Sequence, residues 1–361
     1  MIKKFNPGHY LQDKSNKSAP PKEALADGFT GLLMDLPWAE VEPEPEQYDF
    51  RLLEQWLTWC NKHDRQLVIM LMDRDFRNGP GKIVPSWVPN VPFNEKRRNS
   101  GCVAKIWTPE VTAMRVRLIT AIAERYDDHP RLEAIALPET ALGGVDRKSQ
   151  PDYNHARYCN EIVRLIHAVL PALKRTQLWQ SVNWLGDMDS PHLATIADAL
   201  VKTGVGGLTN PDSVPWEWDD KPMYQLMADY SDRLTIALGG DTSQLEEPGK
   251  RYNTFADLAR LQYGMAQKTK AHYQLWNRGF FSHAAGQQRA NTLAYQDAVE
   301  SLIVDAPLSV AVPMVMADKS EEKPVEVKPP VPKIDPMAAW IEEGRQVYAK
   351  LSDWWQKMPV A

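Results

Sequence analysis

Residues 31–72 read GLLMDLPWAEVEPEPEQYDFRLLEQWLTWCNKHDRQLVIMLM, and the change of pattern along them decides the fold. The stretch opens on an apolar run, Gly31–Trp38, of the length of one buried strand. An acidic turn punctuated by Pro43 and Pro45 follows, and proline can neither continue a helix nor donate to a sheet. From Phe50 to Lys62 the apolar residues Leu53, Trp56, Leu57 and Cys60 fall on one helical face. Leu67–Asp73 is again a strand-like run. The stretch is one β/α/β unit.

The unit repeats outward. Phe5–Leu11 precedes it, and Leu132–Glu139, Thr176–Trp184, Gly204–Thr209, Leu234–Gly239 and His272–Trp276 follow. Between most of these lie helical patterns: Thr108–Tyr126, which opens on Thr-Pro-Glu, then Tyr153–Leu170, Ser190–Thr203, Thr254–Thr269 and Ala290–Val304. Such a series predicts an α/β chain folded as a (β/α)8 TIM barrel. An open doubly wound sheet uses the same units, but no G-x-G-x-x-G follows the first strand.

After a further apolar run, Leu308–Met316, the composition changes. Residues 317–334 are charged and Pro-rich, a linker of extended character. From Asp335 to Lys357 the residues Met337, Trp340, Ile341, Gly344, Val347, Tyr348, Leu351, Trp354 and Trp355 form one apolar stripe of a C-terminal amphipathic helix. The expected division is therefore a barrel at 1–316, a linker at 317–334 and a Trp-rich helix at 335–361. Such a stripe must bury against something: the barrel, a second copy, a separate partner or, last in order, a membrane surface.

Composition narrows the function. A hydrophobic content of 43% and a charged content of 25% over 361 residues are globular values. A net charge of −5 argues against nonspecific nucleic-acid binding, which wants a basic face. Cys60, Cys102 and Cys159 are odd in number and never in a C-x-x-C pair, so they are read as small buried hydrophobes of a reducing compartment. The N-terminus, Met1-Ile2-Lys3-Lys4-Phe5-Asn6-Pro7, has no apolar signal core, and no apolar run has the length of a membrane span. The chain reads as cytoplasmic, although release by a phage or a specialised export route would leave no mark in it. Its eight His are scattered without H-x-H or H-E-x-x-H, so neither a metal nor a cofactor is expected. The 13 Trp, beside 8 Phe and 12 Tyr, call for an aromatic core or for a surface that stacks on flat ligands.

In a (β/α)8 barrel the working residues stand at the C-terminal ends of the strands. Here those ends offer His9 and Tyr10, Asp35 and Trp38, Asp73, Arg74 and Asp75, then Glu139. They continue with Gln180, Asn183 and Trp184, Asn210 and Asp212, Asp241, and finally Trp276, Asn277 and Arg278. Carboxylates, amides and indoles converging on one rim suit a carbohydrate, whose hydroxyls take hydrogen bonds and whose C–H faces stack on rings. Trp38, Trp184 and Trp276 are the candidate platforms, with packing at the barrel mouth as the alternative. Trp216 and Trp218 offer a further subsite on a loop.

The stretch Trp38, Glu42-Pro43, Tyr48-Asp49-Phe50 resembles the (β/α)8-barrel retaining glycoside hydrolase clan, the cellulase and β-galactosidase type of barrel. Leu132–Gly143, LEAIALPETALG, looks like that clan's fourth strand, whose end carries the acid/base glutamate. The resemblance implies that role for Glu139. Two departures stand out: Pro138 replaces the asparagine that usually precedes this glutamate, and Asp241 is the nearest carboxylate where the clan has a nucleophilic glutamate after the seventh strand. Asp241 thus reads either as nucleophile or base, or as a turn-capping residue of Gly239-Gly240-Asp241.

Two-carboxylate chemistry needs one carboxyl protonated to serve the leaving oxygen and another ionised to attack or to activate water. The first expectation is a glycosidase cleaving a poly- or oligosaccharide, with Glu139 as proton donor and Asp241 as its partner. The second is a non-hydrolytic carbohydrate-binding barrel that has kept the aromatic groove and lost the second carboxylate; for Glu139 itself the alternative is a buried carboxylate paired with a neighbouring Arg or Lys. The third is a structural or delivery component attached through the C-terminal helix.

Overall fold

The computed structural model describes residues 3–13, 20–75, 78–95, 98–142, 145, 150–185, 191–215, 221–240, 252–278, 295–303 and 308. In chain order the strands are β1 (Gly8–Asp13), β2 (Phe29–Pro37), β3 (Gln66–Met72), β4 (Arg74–Asp75), β5 (Asn90–Glu95), β6 (Arg98–Ala104), β7 (Leu132–Leu137), β8 (Gln177–Ser181), β9 (Gly206–Ser213), β10 (Thr235–Gly240) and β11 (Tyr273–Asn277). The helices are α1 (Trp38–Val41), α2 (Arg51–Lys62), α3 (Pro109–Tyr126), α4 (His155–Val169), α5 (Pro191–Thr203), α6 (Pro222–Tyr230) and α7 (Phe255–Lys268), and residues 295–303 are also helical.

Eight strands close a parallel barrel in the order β1-β11-β10-β9-β8-β7-β3-β2, so each strand lies beside its sequence neighbour in the barrel and β1 meets both β2 and β11. This is the expected (β/α)8 barrel, and every expected strand overlaps one of the eight. Two elements go beyond the expectation. Strands β4, β6 and β5 form a separate antiparallel sheet inserted between β3 and α3, and α6 supplies the helix after β9. The linker and the Trp-rich C-terminal helix lie outside the described residues.

Helix starts follow the chemistry of their caps. Thr108 accepts from the Val111 amide ahead of Pro109, Asn154 accepts from the Arg157 amide, and Thr254 with Asp257 forms a reciprocal capping box. Among the described residues no helix is long and apolar enough to cross a membrane. All three cysteines are free and buried.

Alternation along the strands divides the core in two. Tyr10, Leu33, Val68, Met70, Ala134, Ala136, Trp179, Ala237, Tyr273 and Leu275 fill the barrel interior. The intervening residues, such as Leu32, Ile69, Ile135, Leu178, Ile236 and Trp276, face the helices. Small residues leave room for large ones: Trp179 and Tyr273 meet edge to face with centroids 4.8 Å apart. A Cβ on Gly207 would collide with the Thr235 carbonyl, so β9 approaches β10 only because that position is Gly.

The N-terminal end of the barrel is closed by polar groups. Lys3 Nζ donates to the carbonyls of Leu173 and Thr176 at 2.6 and 3.1 Å. Lys4 Nζ donates to His129 O, Leu132 O and Thr176 Oγ1. Buried Glu133 accepts from the backbone and side-chain nitrogens of Asn6, both at 2.7 Å, and from Tyr273 Oη at 2.5 Å. Burial lowers both lysines from 10.5 to about 8, against the opposing pull of Asp127.

Candidate active site

Strands β3, β7 and β8 are consecutive in the barrel, with β7 parallel to both neighbours. Residues just past their C-terminal ends therefore meet at one part of the mouth. Glu139 lies two residues beyond β7, Asn183 two beyond β8, and Asp73 and Arg74 directly follow β3. Asn183 Nδ2 donates to Glu139 Oε2 at 2.7 Å. The Asn183 amide donates to Thr140 Oγ1 at 2.9 Å, which fixes the backbone of one strand end to the other. Gln180 adds a second tie, its Nε2 donating to Pro138 O at 2.9 Å.

Arg74 closes the cluster from the other side. It is buried, its Nε pairs with Asp73 Oδ1 at 2.9 Å, and its Nη1 donates to Ala141 O. Asp73 is held in turn by Arg115 Nη2 of α3 at 3.3 Å. Burial opposes a charge on Arg74, but Asp73, Tyr158 and Glu139 outweigh it and keep the guanidinium protonated. Arg74 Nη2 is buried and has no hydrogen-bond partner among the described residues. The cluster thus presents a partly exposed carboxyl, a fixed cation and two amides.

Beside it, Trp184 exposes 48% of its surface, and Lys221 Nζ stands 5.2 Å from its ring centroid. Of the three candidate platforms this is the one with an accessible face. Trp276 and Trp38 are fully buried. Trp276 points away from the barrel interior, stacks on His9 with centroids 6.0 Å apart and donates its Nε1 to His9 Nδ1 at 3.0 Å. Both residues lie in the layer between sheet and helices, where desolvation lowers His9 to about 4 and keeps it neutral. Tyr10 fills the barrel interior and donates its hydroxyl to Asn6 O at the closed end. Trp38 opens α1 and donates to buried Glu42, whose other oxygen accepts from the Glu46 amide. The Trp–Glu-Pro stretch is therefore a folded turn, with Glu46 in the left-handed region at φ 62. His9, Tyr10, Trp38 and Trp276 present nothing to a ligand here: each is packed on its strand or helix by neighbours that the sequence spacing does not reveal.

The remaining candidates are spread around the mouth. Asp35 is buried near the end of β2, and Asn277 ends β11. Arg278 pairs with Asp13 at 3.4 Å and Glu23 at 3.7 Å. Asp212 lies on β9, its amide donating to Asn210 Oδ1 at 3.0 Å. Asp75 accepts from the Asn78 backbone and side chain, both at 3.0 Å, and so shapes a turn. Asp241, which directly follows β10, lies outside the described residues, as do Trp216 and Trp218. Among the described residues no three His, Cys, Asp or Glu side chains group as a metal would require.

Sequence reasoning passed over Thr140, Arg115 and Lys221. Arg115 carried a signal: it occupies the buried face of α3 with Val111, Leu118, Ile119 and Ile122, and a buried Arg needs a carboxylate partner.

No family model and no curated protein sequence matches the chain. Among solved structures, endo-glycoceramidase II from Rhodococcus sp. in complex with a five-membered iminocyclitol is similar, with a TM-score of 0.54 at 16% identity over 77% of this chain and 75% of that one. The catalytic domain of β-amylase from Paenibacillus polymyxa is similar with a TM-score of 0.54 at 9% identity, over 83% of this chain and 99% of that one. Both of these solved structures are glycoside hydrolases, and at these identities what the chain has in common with them is the fold.

Proposed function

We propose that this protein is a glycosidase that cleaves glycosidic bonds in a poly- or oligosaccharide. Glu139 handles the proton at the leaving oxygen, and Asp241, next in sequence after β10, supplies the second carboxylate. The observation that carries this reading is the placement of Glu139 at the barrel mouth, hydrogen-bonded by Asn183, whose sequence neighbour Trp184 exposes its indole. A carboxyl at the strand ends meets the leaving oxygen, and the exposed ring suits the apolar face of a sugar.

One observation favours a second reading, a barrel that binds carbohydrate without cleaving it. Glu139 interacts electrostatically with the fixed cation Arg74, which suits a carboxylate that belongs to a structural ion cluster. The two readings separate in one experiment: product release from a panel of glycans by the wild type, Glu139→Gln and Asp241→Asn. Hydrolysis by the wild type that falls about 100-fold or more in both variants supports the glycosidase. Binding of a glycan with no turnover of any would establish the second reading instead.

A further inference from the structure

We propose that Asn183 is a positioning residue that serves Glu139 in both of its protonation states by turning its amide. The inference rests on the acid/base role given to Glu139 above, and it adds how that carboxyl keeps one geometry while gaining and losing a proton.

A carboxyl that gives up a proton and recovers it changes from donor to acceptor at one oxygen. A cationic neighbour can only donate to it, and a carboxylate neighbour can only accept. An amide can do either, because a half-turn about its last torsion exchanges Nδ2 for Oδ1. In the structure Asn183 Nδ2 donates to Glu139 Oε2 at 2.7 Å, a pairing open to an ionised Glu139; with the proton on Oε2 the same contact needs an acceptor from Asn183. Asn183 Oδ1 is buried and has no hydrogen-bond partner among the described residues. Among the described residues no hydrogen bond on that side ties the amide to one orientation, so the state of Glu139 can select it. The rest of the residue is held: the Asn183 amide donates to Thr140 Oγ1 at 2.9 Å, and Thr140, buried, is the next residue after Glu139. The hinge is therefore one torsion, between fixed backbones.

Arg74 and the groups that hold it are committed to other partners and do not play this part. Arg74 of β4 is held by Asp73 and by Ala141 O, Arg115 of α3 is engaged with Asp73, and Tyr158 of α4 lies against Arg74. They supply a constant field, and Asn183 supplies the adjustable bond.

The test is the titration of the Glu139 carboxyl, followed by carbon-13 NMR in the full chain and assigned with Glu139→Gln. Asn183→Asp leaves an acceptor only and places a like charge beside Glu139, so the apparent pKa of the pair should rise by about one unit or more. Asn183→Leu removes both bonds, and kcat should fall about 10-fold or more, with KM changing less than threefold and with the thermal midpoint retained. Thr140→Val, which frees the backbone of Asn183, should broaden the pH profile while leaving the amide chemistry intact. A Glu139 titration within 0.2 units of wild type in both Asn183 variants, roughly the resolution of such a measurement, would overturn the inference. A shifted titration in a protein that hydrolyses no glycan would instead overturn the proposed function and leave the role of Asn183 standing.

Discussion

The two ends of the barrel handle buried polar groups differently. At the N-terminal end the buried charges of Lys3, Lys4 and Glu133 are each held by several partners: Lys3 makes two hydrogen bonds, Lys4 three and Glu133 three. At the C-terminal end Arg74 Nη2, Asn183 Oδ1, Ser181 Oγ and Gln12 Oε1 are buried without hydrogen-bond partners among the described residues. The division is not absolute, since Gln66 Oε1 and Thr235 Oγ1, near the starts of their strands, also lack partners. Nor is it complete for the charged groups, since Arg131 Nε, just before β7, is buried without a partner among the described residues. The contrast is between Lys3, Lys4 and Glu133 at one end and Arg74 at the other. A buried donor or acceptor left unpaired costs about 1–3 kcal/mol, so saturation favours the folded state and its absence marks a surface that a ligand can complete. In barrels of this type the same division separates stability from chemistry.

The largest expected effects break the comparison from either side. Glu133→Ala removes the acceptor of three bonds at the closed end and should lower stability by about 3–5 kcal/mol in denaturant titration, while turnover at 25 °C stays near wild type. Glu139→Gln at the mouth should do the reverse, with turnover down about 100-fold or more and stability within about 1 kcal/mol. Equal losses of stability in both variants would erase the distinction.

Protons give the next effect. His9, at about 4 when folded against 6.5 ordinarily, is protonated more readily in the unfolded chain. Its contribution to stability is complete above pH 6.5 and is lost as the pH falls toward 4, an effect of up to about 3 kcal/mol. His9→Gln keeps an acceptor for Trp276 Nε1 and should flatten this acid limb when unfolding is measured across that range. Lys3 and Lys4 have the opposite consequence. Their folded values of about 8 lie below 10.5, so their charge costs stability below pH 8, and stability rises as the pH climbs from 8 toward 10.5. Lys3→Met should reduce the slope over that window.

The smallest effect sharpens the comparison at a single ring. Trp184→Ala should weaken glycan binding by about three- to tenfold, the worth of one stacked aromatic face, and change stability by less than about 1 kcal/mol because half the ring is already in water. A loss of several kcal/mol of stability would class Trp184 with the buried Trp276.

The tryptophans show what each level of description contributes. Spacing alone puts Trp38, Trp184 and Trp276 at strand ends; Trp276 lies within β11, Trp38 one residue beyond β2 and Trp184 three residues beyond β8. Which of them a ligand can touch depends on facing. Side chains alternate along a strand, so moving one residue exchanges the barrel interior for the helix layer. Trp276 falls on the helix side and is covered there with His9, while Trp184 stands past the end of β8 and stays exposed. Among the described residues, then, most of the Trp excess is core. The inserted sheet β4-β5-β6 was illegible for a related reason: residues 74–104 show no sustained alternation, and the pairing of β6 with both β4 and β5 is made by chain folding back on itself. Helix α6, nine residues long, is too short for its periodicity to stand out from the loop before it.

The amino-acid sequence by itself determined the eight parallel strands, their order and the capped helices between them, because period-two and period-3.6 patterns and cap residues are local properties of the chain. It also singled out Glu139, a carboxyl at the end of an otherwise apolar strand. Only the tertiary structure decided that Arg74, Glu139 and Asn183, separated by up to 109 positions, share one corner of the mouth. That corner exists because β3, β7 and β8 are neighbours in a closed barrel, and neither closure nor facing is written in any one segment.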